Sequence, residues 1–199
     1  ALKQKGIDVT LAVIQIGKDP ASTVYVGNKK KACEYVGIRS LAYELPEETS
    51  EQELLELVRS LNAKEDVDGI LVQLPKHIDE DKVIRTISPD KDVDGFHPES
   101  VGRLSIGQPG FVSCTPAGII QLLKRSGITI DGKECVIIGR SNIVGKPMGM
   151  LLLRENGTVT ICHSHTPDLK TVAKRADILV VAIGKAKFVD ASYVKDGAA

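Results

Sequence analysis

The chain has 199 residues, enough for one large or two small domains, with 26 basic residues balancing 26 acidic ones. That zero net charge argues against a nucleic-acid or membrane-surface binder. Trp is absent and aromatics are 4%, so no stacking platform for single strands is expected, and no run approaches the roughly 18 apolar residues of a membrane span.

Taken in order, Val9 to Ile16 (VTLAVIQI) is a near-continuous apolar run, the signature of a strand buried on both faces. Ser22 to Gly37 reads as a helix, with Ser22 as cap and Gly37 in the left-handed position past its end. A second strand is expected over 38–45. Ser50 to Glu53 is a capping box, and Leu54, Leu55, Leu57, Val58 and Leu61 form the helical stripe behind it. Gly69 to Leu74 (GILVQL) is a third buried strand, stopped by Pro75, and a short helix follows over 81–87. Alternating strands and helices imply right-handed crossovers and a mainly parallel sheet.

From Ser88 to Ser113 the pattern lapses into turn residues, a stretch that usually carries function or links domains. Thr115-Pro116 reads as the N-cap and first position of a helix through Arg125, ended by Gly127. The alternation then restarts, with strands expected over 134–138, 158–162 and 178–183 and helices over 143–155 and 169–175. We expect a first domain over 1–112 and a second over 113–199. A further strand is expected to begin near Asp196, so the second domain reads as lacking its C-terminal part. Cys33, Cys114, Cys135 and Cys162 are widely spaced with no C-x-x-C. They read as reduced thiols of a cytoplasmic protein, neither a disulfide framework nor a zinc site.

At about 100° per residue, Tyr25, Lys29, Ala32 and Val36 of the first helix fall on one stripe, away from Lys30 and Lys31. Lys29 is then either a snorkelling lysine whose stem covers apolar surface or a partly desolvated one poised for proton transfer. Periodicity alone leaves both open.

Val136 to Pro147 (VIIGRSNIVGKP) is a buried strand, a tight glycine turn and a helix start, a context in which amides and the helix dipole face a phosphate. It departs from G-x-G-x-x-G, since Ser141 replaces the second glycine and Gly145 comes one residue late. The next strand ends in Cys162-His163-Ser164-His165, with no carboxylate for the ribose hydroxyls of NAD. Arg140 and Ser164 are instead candidates to meet a 2′-phosphate, which points to NADP. His163 and His165 lack a third ligand nearby, so no metal site is expected.

Asp90 to Gly95 (DKDVDG) matches half of a calcium loop, but the position of the bidentate Glu holds Val101, which excludes calcium. Asp94, between Val93 and Gly95, is the candidate carboxylate for a flat amidine-like edge. Gln73 is a polar residue at the carboxyl end of an apolar strand, where open parallel sheets bind ligands.

Together, Y-V-G-N-K at 25–29, G-I-L-V-Q-L-P at 69–75, K-D-V-D-G-F-H-P at 91–98, C-T-P at 114–116 and G-R-S-N-I-V-G-K-P-M at 139–148 resemble the bacterial bifunctional methylenetetrahydrofolate dehydrogenase/cyclohydrolases. The resemblance implies a two-domain α/β fold, a parallel-sheet folate-binding catalytic domain and a Rossmann-like NADP-binding domain with the cleft between them. It implies that Lys29, Gln73 and Asp94 are catalytic: Gln73 tunes Lys29 and Asp94 anchors the pterin. Tyr25 lines the folate cleft, and Gly139, Arg140, Ser141 and Ser164 hold NADP. It further implies a homodimer acting on tetrahydrofolate derivatives, in one-carbon supply for purine and amino-acid biosynthesis. The family's N-terminal helix, its P-G-G-V-G-P-type loop and its C-terminal helix are not found in this sequence. Shikimate-type dehydrogenases also combine a lysine, an aspartate and NADP, but the Y-x-x-x-K helix and the V-Q-L-P strand favour folate.

Overall fold

The computed structural model describes residues 5–17, 20–73, 75 and 77–199, with residues 20–25 described by their backbone alone. The chain divides into two compact units, residues 1–99 and 100–199, with the division inside a short helix.

The first unit is a three-stranded parallel sheet of β1 (Thr10–Ile16), β2 (Arg39–Leu45) and β3 (Gly69–Gln73), in the order β2-β1-β3. Helix α1 (Pro20–Val36) joins β1 to β2, and α2 (Glu51–Asn62) joins β2 to β3. Because side chains alternate along a strand, the sheet has two distinct faces. Ala12, Ile14, Ile16 and Ile70 form one face and pack with Leu54, Val58 and Leu61 of α2 and Val83 of α3 (Glu80–Thr86). Leu11, Val13, Gln15, Gly69, Leu71 and Gln73 belong to the other, which receives α1. Ser50 caps α2 with the expected box, its hydroxyl accepting the Glu53 amide while Glu53 returns to the Ser50 amide.

Two expectations for α1 change. The helix opens at Pro20, whose fixed φ suits a first helical position, so Ser22 lies inside it. Its buried line runs through Cys33 with Lys29 half-buried, whereas Ala32 and Val36 are exposed, Val36 by 64%. The helix has almost no amphipathic asymmetry, so periodicity could not choose between neighbouring stripes. Gly37 does close it: the Gly37 amide donates to the Glu34 carbonyl and Ile38 to Cys33, a Schellman motif at φ +78°.

The second unit repeats the order, with β4 (Glu134–Ile138), β5 (Thr158–Cys162) and β6 (Ile178–Val181) parallel as β5-β4-β6. Helices α5 (Cys114–Arg125) and α6 (Gly145–Arg154) pack on Cys135, Ile137 and Ile178. Helix α7 (Leu169–Ala173) covers Val136, Cys162 and Leu179 on the opposite face. Ala199 exchanges backbone hydrogen bonds of 2.9 Å with Asp177 and Leu179 at the β6 edge.

The stretch 88–113 is more ordered than its turn residues suggest. It contains a 3-10 turn at Pro89–Lys91 and a two-turn helix, α4 (Pro98–Ser105). Here the Glu99 amide donates to His97 Nδ1 at 3.1 Å, and histidine is not among the usual cap residues. Helix α5 begins at Cys114, one residue before the expected cap, and Ser113 precedes it. Among the described residues no helix is long and apolar enough to cross a membrane.

Candidate active site

In a parallel sheet of order 2-1-3, the crevice for a ligand opens at the carboxyl ends of the first and third strands, where the chain path reverses. In the first unit those ends are Gln15 and Gln73, which are register partners and therefore share a face. Gln15 is 6% exposed, and its Nε2 donates to the Gly17 carbonyl at 3.2 Å. Gln15 is a site residue beyond those expected, and it carries the same signal in the sequence as Gln73: one amide in an otherwise apolar strand.

The acidic turn is brought to this same face. Asp92 forms an isolated parallel bridge with Ile70. A Cβ added to Gly69 would lie 2.3 Å from Val93 Cγ1 and 3.3 Å from Leu11 Cδ1. The missing side chain of Gly69 is thus what lets Val93 lie against the sheet. Asp92, 3% exposed, accepts the amides of Phe96 (3.3 Å) and His97 (2.8 Å), spending its carboxylate on the loop itself. Asp94 remains half-buried and faces Lys29 closely enough to feel its charge. Burial pushes the Asp94 carboxyl above its ordinary range; the Lys29 ammonium partly opposes this, and Asp92 adds to the rise.

Lys29, Gln73 and Asp94, separated by up to 65 positions in the numbering, thus belong to one face of one sheet. The Tyr25 side chain lies outside the described residues, and only its place in α1, one helical turn before Lys29, is fixed.

In the second unit the corresponding carboxyl ends are those of β4 and β6. Gly139 follows β4 at φ +132°, its amide donating to Cys162 at 2.9 Å, and a Cβ there would sit 2.3 Å from the Ala182 carbonyl oxygen. A Cβ on Gly145 would lie 2.2 Å from the Gly139 oxygen. Gly145 therefore does the close-packing work of the fingerprint's third glycine, one residue late. Ser141 caps the helix: its Oγ accepts the amides of Val144 (3.2 Å) and Gly145 (3.3 Å). The first-turn amides expected to face a phosphate are thus taken in part by Ser141. With both lone pairs occupied, its hydroxyl retains only its O–H to donate outward.

Ile138 and Cys162 are register partners, so Arg140 and Ser164 leave neighbouring strands two residues beyond a matched pair, and both are exposed. His163 is committed locally, its amide donating to Thr166 Oγ1 (2.8 Å) and its Nδ1 accepting the His165 amide (3.1 Å). Among the described residues, no group of three or more His, Cys, Asp or Glu is arranged to hold a metal ion. A surface depression of about 580 Å³ lined by Lys124, Ile128, Asp131, Arg154 and Asn156 lies at the far ends of α5 and α6, away from these carboxyl ends.

Residues 1–94 match the family profile described as tetrahydrofolate dehydrogenase/cyclohydrolase, catalytic domain, and residues 113–199 match its NAD(P)-binding domain. The bifunctional protein FolD of Lachnoclostridium phytofermentans is 75% identical over 199 residues, 99% of this chain and 71% of that protein. The crystal structure of the bifunctional FolD methylenetetrahydrofolate dehydrogenase/cyclohydrolase of Campylobacter jejuni matches with a TM-score of 0.95 at 48% identity, over 99% of this chain and 71% of that one. The FolD of Trypanosoma brucei, solved with NADP cofactor and inhibitor, matches with a TM-score of 0.91 at 38% identity, over 99% of this chain and 68% of that one.

Proposed function

This chain belongs to the tetrahydrofolate dehydrogenase/cyclohydrolase family, and from that premise we propose how its residues divide the work of a bifunctional one-carbon folate enzyme. The two reactions are oxidation of 5,10-methylenetetrahydrofolate to the 5,10-methenyl cation and hydrolysis of that cation to 10-formyltetrahydrofolate. The observation that carries the assignment is the placing of Lys29, Gln73 and Asp94 on one face, with Lys29 in electrostatic reach of Asp94.

Asp94 accepts the flat N–H edge of the pterin, which supplies the hydrogen bonds that keep a half-buried carboxylate ionised. Gln73, at the carboxyl end of β3, is assigned the orienting of Lys29. Tyr25, a turn earlier on α1, lines the folate. Lys29 serves the hydrolytic reaction. Water adds to the methenyl carbon and loses a proton, and a ring C–N bond breaks as its nitrogen gains one. We assign those proton transfers to Lys29, whose ammonium stands in electrostatic reach of Asp94.

The cofactor of the oxidative reaction is NADP, which when bound accepts the hydride of the methylene carbon. The residues present suit it: Gly139 and Gly145 allow close backbone approach, Ser141 offers an O–H, and Arg140 and Ser164 supply a cation and a hydroxyl where no carboxylate stands. The chain's role there is to orient the nicotinamide against the folate. With this function go the homodimeric assembly, cytoplasmic location and place in purine and amino-acid biosynthesis that the motif resemblance implies. Four unpaired cysteines agree with a reducing compartment.

The test is direct. The protein supplied with 5,10-methylenetetrahydrofolate and NADP⁺ should produce reduced cofactor, and supplied with the methenyl cation it should bleach the cation's absorbance. Absence of both reactions overturns the assignment.

A further inference from the structure

Lys91 opens the K-D-V-D-G turn, and the chemistry above gives it no task. Its ammonium lies 2.6 Å from the Lys64 carbonyl, 2.9 Å from that of Asn62 and 3.1 Å from that of Leu61. An ammonium has three donors, and here each finds one carbonyl at the C-terminal end of α2. That end needs them. Helix α2 stops at Ala63 in right-handed helical conformation, without the glycine that closes α1, so its last carbonyls have no left-handed cap. A cation at a helix C-terminus is also favoured by the helix dipole.

The same helix end holds the chain just before the turn. Asn62 Nδ2 donates to the Thr86 carbonyl at 2.6 Å, and its Oδ1 accepts the Ser88 amide at 2.9 Å. Helix α2 is in turn fixed to the sheet through Leu54, Val58 and Leu61, each fully buried. Beyond Lys91 the turn is tight: the Val93 amide donates to the Lys91 carbonyl at 3.0 Å, and the Gly95 amide to Asp92 at 3.1 Å. Only Asp92 and Val93 separate the anchored lysine from the aspartate whose carboxyl faces Lys29.

We propose that Lys91 is a positioning residue for the folate site, fixing Asp94 opposite Lys29 by fastening the turn to the end of α2. The proposal rests on the reading of Asp94 as the pterin anchor. Loosening this attachment lets the turn swing while leaving the cofactor loop, which belongs to the other unit, untouched.

Lys91→Met keeps the apolar stem and removes all three donors. The expected result is a protein with unchanged circular dichroism, a KM for methylenetetrahydrofolate raised about tenfold and a KM for NADP within about twofold of wild type. A wild-type folate KM, or equal increases in both constants, overturns the role. Should Lys91→Met fail to fold, Lys91→Arg carries the test. A planar guanidinium cannot aim one donor at each of three converging carbonyls, so it should raise the folate KM alone; a folate KM equal to wild type overturns the proposal. Asp94→Ala is measured beside them. If it leaves folate binding intact, the anchor reading fails and this role with it; if it weakens binding while the Lys91 variants do not, only the role of Lys91 fails.

Discussion

Burial raises the pKa of Asp94, and the ammonium of Lys29, which stands near it on the same face of the sheet, pulls it partway back. The two residues come from a helix after β1 and a turn after β3; burial of the carboxylate is the source of the site's instability, and Lys29 relieves part of it.

That instability has a pH signature. The native state holds the Asp94 proton more tightly than the unfolded chain does, so ∂ΔG/∂pH of unfolding is negative over the window between the ordinary and the raised value. Stability from this group is complete below the ordinary carboxylate pKa and is lost as pH rises through the raised one. Asp94→Asn removes the group. Urea unfolding across the acid range should find the variant more stable than wild type at neutral pH, with the gap closing toward acid. Parallel curves throughout reject the raised pKa.

Lys29→Met should separate the two activities. Proton transfer in the hydrolytic reaction needs a titrating group, whereas hydride transfer depends on orientation. Bleaching of the methenyl cation is expected to fall to background while reduced cofactor still forms at a measurable rate. Equal survival of both activities removes Lys29 from the chemistry.

Gly69→Ala tests how the acidic turn reaches the sheet. The new methyl would collide with Val93 Cγ1 at 2.3 Å, and valine is stiff at χ1, so a destabilisation of about 1–3 kcal/mol is expected from overpacking. Weaker folate binding should accompany it. Adding Val93→Ala removes the obstructing group and should recover part of both losses. A double-mutant cycle with no coupling would falsify the contact as the cause.

Arg140→Ala addresses the nucleotide. Arg140 leaves β4 beside the exit of Ser164 from β5, and the position of the ribose-binding carboxylate is vacant of any acid. Loss of the guanidinium should weaken NADP about tenfold, the scale of one charge-assisted hydrogen bond, and leave NAD nearly unchanged. Titrating the intrinsic binding of each nucleotide decides the matter; equal losses point to a general anion site.

The thiols offer a check on the packing. Cys33, Cys135 and Cys162 are buried, and burial raises the thiol pKa of the latter two, whereas Cys114 is exposed. A thiol reagent should therefore titrate one group rapidly in the native protein and all four after denaturation.

Much of this was legible in the chain. All six strands fall at their expected places, and β1 and β4, central in their sheets, are apolar runs because a strand buried in a parallel sheet is apolar on both faces, whereas the edge strand β2 is half-exposed. The α2 capping box was equally plain, since it is a local pattern of fixed spacing. Less was readable where local pattern is weak. The exposed Ala32 and Val36 of α1 show a helix whose facing its own periodicity cannot set. Helix α4 is started by a histidine acceptor that propensity does not register. The resemblance assigns Ser141 to NADP binding, and the structure also gives it the capping of α6.

The sequence by itself determined the order of elements, the identity of the family and the residue types that bring chemistry: a lysine beside a tyrosine on a helix, an amide ending an apolar strand, an aspartate in a turn, a glycine turn before a helix. These are short-range patterns, written in spacing and composition. Only the tertiary structure decided that Lys29, Gln73 and Asp94 share a face, that Gln15 joins them, and that Lys91 fastens the turn to α2. Strand order and register create those neighbours. Both depend on long-range pairing between segments whose sequences carry no mark of which partner, or which face, they will meet.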